Sequence, residues 1–159
     1  MAWLLLICCA ILVAQHQPAN TKTKAQSKPA APDVKRLYLD SVQALQQGSY
    51  PRAREGFERL VKINPRSAEY RDLLGYVLML QGEPKQAITV LQAAVELDPK
   101  RWLTVAHLAE ALAQSGELAA AVETFQKAAK IGPMDAGTHI AYAHALSGTG
   151  SNDEAVAEL

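Results

Sequence analysis

From Val34 onward, apolar residues recur every three or four positions, in segments broken by glycine, proline and short polar groups. Val34, Leu37, Tyr38, Val42 and Leu45 make the first stripe, and Ala53, Phe57, Leu60 and Val61 the second. Leu73, Leu74, Tyr76, Val77 and Leu78 follow, then Ala87, Ile88, Leu91, Ala94 and Val95. A fifth segment runs from Trp102 through Leu108, Ala109 and Leu112, and a sixth uses Ala121, Val122, Phe125 and Ala128. The seventh carries His139, Tyr142, Ala143 and Leu146, and an eighth begins at Asp153. This period predicts amphipathic α-helices rather than strands. The breaks agree. Gly48, Gly82 and Gly116 stand where helices end, and glycine tolerates the positive φ such an end requires. Pro51 and Pro84 stand where helices begin, where a missing N–H does no harm. Asn64-Pro65, Asp98-Pro99 and Gly132-Pro133 interrupt the remaining ends, and Ser67 and Asp135 are placed to cap the helices after them.

The breaks are also periodic. The intervals from Pro65 to Pro99 and from Pro99 to Pro133 are both 34 residues. Gly48, Gly82, Gly116 and Gly150 keep that step, and so do Ala53, Ala87, Ala121 and Ala155. Each copy is therefore a helix–turn–helix pair. The alanines fall where its two helices cross, and a larger side chain there would force the helices apart.

This register resembles the tetratricopeptide repeat family. Leu74-Gly75 matches the family's Leu-Gly pair in the first helix, with Leu108-Ala109 and Tyr142-Ala143 as conservative variants. The alanine-to-aromatic step of the second helix is present as Ala53/Phe57 and Ala121/Phe125, with Leu91 in the second copy. The pattern's tryptophan is absent, its place held by Leu37, Arg71, Val105 and His139. The resemblance covers residues 34–159, as copies 34–67, 68–101, 102–135 and an incomplete 136–159. It implies an all-α fold of helical hairpins stacked in a right-handed superhelical solenoid. It also implies a concave groove, lined by the first helix of each pair, that holds a peptide.

On that resemblance, the groove positions fall on Lys35, Tyr38, Val42 and Leu45, then on Glu69, Asp72, Tyr76 and Met79. The third copy contributes Leu103, His107, Glu110 and Ala113, and the fourth Ile140 and His144. Tyr38, Val42, Leu45, Tyr76 and Met79 would form an apolar wall beside acidic Glu69, Asp72 and Glu110, which suits an amphipathic or mildly basic peptide. The other reading of Tyr38, Val42 and Leu45 is packing against the neighbouring first helix. Family members that grip a terminal carboxylate use Lys, Arg and Asn in this groove. Here those places hold mostly Tyr, Val, Asp and Glu, which argues against that specialisation.

Charge and composition narrow the function further. Alanine is abundant and aromatics are only 6%, which favours closely packed helices over a sandwich or barrel. Formal net charge is 0, so there is no basic footprint for nucleic acid. Setting aside Lys22, Lys24, Lys28 and Asp33 leaves 13 basic and 15 acidic residues, too small an excess to require a cationic partner.

Ahead of the repeats, Trp3 to Ala14 is an unbroken apolar run of 12 residues. As a helix it would span about 18 Å, short of the roughly 30 Å hydrocarbon core, and it suits the apolar region of a signal peptide. Residues 1–14 are accordingly expected to be a signal peptide or short hydrophobic anchor, with a small residue, Ala14, at the cut. The run has no basic residue ahead of it, and Leu12 is bulky for a cleavage site. A buried N-terminal helix is the competing reading. Both cysteines, Cys8 and Cys9, lie in this run, so cleavage would leave no disulfide and no cysteine metal site. Ile7 before Cys8 fits lipidation poorly. Residues 15–33 lack large aliphatics and are expected to be a disordered linker. Export to a periplasmic, extracellular or envelope-associated location follows, with the chain freed or tethered at its N-terminus.

No constellation for catalysis is present. There is no Gly-x-Ser-x-Gly motif and no phosphate-loop lysine, and Ser147-Gly148-Thr149-Gly150-Ser151 follows a helix, so it reads as a turn. His107 and Glu110, three apart on one helix face, invite a metal with His144, but His139 and His144 point apart and no His-Glu-x-x-His is present. We therefore expect no cofactor, no metal and no small-molecule substrate. The expected function is a non-catalytic scaffold that binds a protein or peptide. The alternative is an accessory module of a larger exported enzyme or sensor protein, because Leu146, Val156 and Leu159 would be left apolar and uncapped at the end of the array. The same exposed edge would also support self-association.

Overall fold

The computed structural model describes residues 33–159; the expectations for residues 1–32, Cys8 and Cys9 included, lie outside them. Eight helices follow in the described residues: α1 Val34–Gln46, α2 Tyr50–Ile63, α3 Ala68–Leu80, α4 Pro84–Leu97, α5 Trp102–Ser115, α6 Leu118–Ile131, α7 Ala136–Thr149 and α8 Asn152–Ala157. None is long and apolar enough to cross a membrane. Asp33, Ser67 and Asp135 cap α1, α3 and α7, their side chains accepting from the backbone N–H of Arg36, Tyr70 and Thr138 at 3.2, 3.2 and 2.8 Å. Pro51 and Pro84 occupy the first turns of α2 and α4. Between the two helices of every pair the chain passes through a glycine of positive φ, at Gly48, Gly82, Gly116 and Gly150. All four of these turns return a backbone N–H to the helix before them, as Ser49 N–H does to Ala44 and Glu117 N–H to Leu112.

The helices of each pair meet at small residues. Ala53, Ala87 and Ala121 have no exposed surface, and Ala155 very little. Two glycines tighten the crossings further. A Cβ on Gly75 would lie 2.5 Å from Leu91 Cγ, and one on Gly56 would overlap the Ser41 hydroxyl. Ser41 itself is buried, and its hydroxyl donates to the Leu37 carbonyl at 2.6 Å. These approaches let Phe57, Leu60, Leu91 and Phe125 disappear into the interior. Each such side chain stabilises the fold by about 1.5–3 kcal/mol.

Each pair then stacks on the next, through α2 on α3, α4 on α5 and α6 on α7. On one side the first helices also meet, α3 with α5 and α5 with α7. The second helices α4 and α6 do not approach each other to that degree. A stack whose inner members are closer than its outer ones must curve, so α1, α3, α5 and α7 line the concave side. The result is an all-α solenoid of helical hairpins. Across the outer edge Arg54 links the first two pairs, donating to Glu58 and to Glu83, both at 2.9 Å.

Because Ala87 is enclosed, Ala87→Leu should destabilise by about 1–3 kcal/mol through overpacking at the α3–α4 crossing. Thermal melting monitored by circular dichroism measures this, and an unchanged melting temperature would contradict it.

Candidate functional site

The concave row is assembled by contacts from each first helix to the next. Tyr38 on α1 donates its hydroxyl proton to Glu69 Oε1 on α3 at 2.9 Å, and its ring lies 6.0 Å from that of Tyr70. This hydrogen bond to Glu69, with some burial, raises the Tyr38 phenol above its ordinary pKa. Tyr38, Val42 and Leu45 are half-buried and pack against the core, so they divide their surface between the neighbouring helix and the groove. Lys35 and Glu69 are exposed.

Asp72 and Met79 are not groove surface. Asp72, one copy on from Tyr38, is 1% exposed. His107 Nδ1 of α5 lies 2.8 Å from its Oδ1, and Arg101 Nη2 lies 3.7 Å from its Oδ2. A carboxylate oxygen accepts, so His107 carries its proton on Nδ1. The His107 ring stacks on Tyr76 with centroids 4.9 Å apart. A buried carboxylate without such partners would cost several kcal/mol, and His107 of the third copy, with Arg101 in the turn before it, meets that cost. Asp72 thus joins the second and third copies instead of facing a ligand. Met79 is 5% exposed and belongs to the core. The spacing of 34 places both on the inner helix but not under the cover that the next copy supplies.

Further along, Glu110 of α5 and His144 of α7 border a cleft of about 300 Å³ whose other walls include Ala113, Gln114, Leu118 and Ala141. Burial pushes the Glu110 carboxyl above the ordinary carboxylate range, against the opposing pull of His107, and Asp135 adds to the rise. Asp135 is itself held below the usual range by the N–H and hydroxyl of Thr138, as suits a helix cap. Leu103 is half-buried, Ala113 lines the cleft, and Ile140 is exposed at the far end of the row. His107 and His144 do not converge: the first is bound to Asp72 and the second lines the cleft. Among the described residues no three His, Cys, Asp or Glu side chains are placed to hold a metal. Arg101, Ala141 and Ala145 were not among the expected groove positions, whereas Ala113 was. The sequence signal for the cleft is Ala141, which stands in the 34-residue register where Leu73 and His107 stand. Arg101 carries no such signal, because it lies in the turn before α5.

Two family models, each described as Tetratricopeptide repeat, match residues 43–101 and 78–136. A search of curated proteins finds no match. Among solved structures, MamA is 26% identical with a TM-score of 0.70, over 79% of this chain and 74% of that one. MamA from Desulfovibrio magneticus RS-1 is 24% identical with a TM-score of 0.71, over 79% and 71%. YrrB, a TPR protein with an unusual peptide-binding site, is 21% identical with a TM-score of 0.67, over 79% and 65%. At these last two identities the likeness concerns the fold.

The folded protein holds the Glu110 carboxyl proton more tightly than the unfolded chain does. The contribution of protonated Glu110 is complete below the unfolded value of about 4.3 and is lost as pH rises through the higher folded value. At neutral pH the ionised group therefore opposes folding. Glu110→Gln should raise the melting temperature near neutrality, and the gap to the parent should close on acidification. A melting temperature lowered at neutral pH would contradict this.

Proposed function

The chain belongs to the tetratricopeptide repeat family, and from that premise we propose that it is a non-catalytic scaffold holding a peptide segment against its concave face. Interaction scaffolding is the general role of this fold, and YrrB is a structural neighbour with a peptide-binding site. The observation that carries the proposal is the composition of the inner row. Tyr38, Tyr76, Leu103 and His107 offer partly exposed apolar and aromatic surface, with Glu69 exposed and Glu110 half-buried beside it. A mixed surface of this kind suits an amphipathic, mildly basic segment, with the aromatic groups as anchors.

Two further points belong to the same proposal. The apolar run Trp3–Ala14 supports export of the scaffold, and N-terminal sequencing of the exported protein tests it: an intact Met1 would reject cleavage. At the last pair, Val156 and Leu159 are 73% and 82% exposed beside Ile140, which supports self-association through that edge. Light scattering that finds a monomer at all concentrations would reject self-association.

Binding to an array of short peptides of varied sequence tests the groove. Tyr76→Ala should weaken retained peptides by about tenfold or more, while Gln126→Ala on the outer helix α6 should leave them unchanged. Peptides bound equally by both variants, or no retained peptide, would count against the groove.

A further inference from the structure

One junction of the array is built differently from the others. In steps of 34, Val42, Tyr76 and Glu110 hold one inner position, and Leu73, His107 and Ala141 hold another on the following first helix. Leu45, Met79 and Ala113 hold a third. Between the second and third copies these places are filled: His107 stacks on Tyr76, and Met79 is buried. Between the third and fourth, both filling side chains are alanine, and the aromatic wall is replaced by a carboxylate. The consequence is the open cleft between α5 and α7.

The chemistry of that cleft is one-sided. Ala113, Leu118, Ala141 and Ala145 give it alkyl walls, and Glu110 supplies its one carboxylate. Asp72 and Glu69 are each engaged by a neighbouring side chain, whereas Glu110 forms no hydrogen bond or ion pair with the described residues. Half-buried and without a partner among the described residues, this carboxylate borders the cleft and is free to pair with a cation there. A lysine side chain matches both features, since it lays an alkyl stem along apolar surface and ends in a compact charge.

We propose that the cleft between α5 and α7 is a lysine-binding subsite of the groove, with the ammonium on Glu110 and the stem against Ala113, Leu118, Ala141 and Ala145. The proposal rests on the groove reading for its biological setting, but the chemistry of the cleft is testable without any peptide.

The test is titration of the isotopically labelled full-length chain with n-hexylammonium and with n-hexanol, followed by NMR. The ammonium should shift the Ala113, Ala141 and Ala145 amide signals saturably, with an affinity on the order of tenfold above that of the alcohol. Glu110→Gln should abolish that preference. Ala141→Leu, which restores the residue found at Leu73, should abolish binding of both probes. Glu123→Gln on α6 should change neither. Equal affinity for the two probes, a preference that survives Glu110→Gln, or no shift at the three alanines would overturn the subsite. Ammonium selectivity at the cleft without any peptide bound by the array would support the subsite and reject the groove, so the two failures are separable.

Discussion

Everything in this structure depends on how closely two helices of a pair can cross. The crossing is set by a small residue on the second helix, Ala53, Ala87, Ala121 and Ala155 in turn, each held in the interior. In the first two pairs glycine tightens it further, Gly56 against Ser41 and Gly75 against Leu91. With the backbones that close, the larger residues on either side interlock. Phe57, Leu91 and Phe125 reach full burial from neighbouring turns of the same helices. A pair built this way cannot cover its own apolar faces, so it stacks on its neighbours. The stack brings first helices together on one side only. The concave face is thus a consequence of the alanine crossings, although none of those alanines touches it.

The scaffold and the inner surface obey different constraints. At the crossings, the 34-residue register holds nearly the same residue in every copy. On the inner face, it holds a different one each time: Val42, Tyr76, Glu110 and His144 share one position. That variation gives each junction its own character. Tyr38 and Glu69 close the first through a hydrogen bond, and Asp72, Arg101, His107 and Tyr76 close the second through a buried polar cluster. The third is left open over Glu110. Replacing large fillers by alanine at two register positions turns a joint into a cavity without disturbing the crossings that hold the pairs.

Most of the fold was legible in the sequence because its determinants are local. Turn glycines, first-turn prolines and the caps at Ser67 and Asp135 act within a few residues of themselves, and the period of 34 orders them. The inner surface was only partly legible because its determinants are not local. Asp72 has the register of a groove residue, yet Arg101 and His107, 29 and 35 positions further on, cover it. Met79 is enclosed for a related reason, as it joins the core shared by the first three pairs. Glu110 was recognisable as an inner residue, but its lack of a partner depends on Ala141 being too small to fill the space.

The central claim is that the first helices, and not the second, form the binding surface. Chemical-shift mapping of the labelled full-length chain with a peptide retained on the array tests it most directly. Perturbations should be concentrated on α3, α5 and α7, around Tyr76, His107 and Glu110, with α4 and α6 silent on their outer faces. Perturbations centred on the outer faces of α4 and α6, with the inner row unchanged, would contradict it.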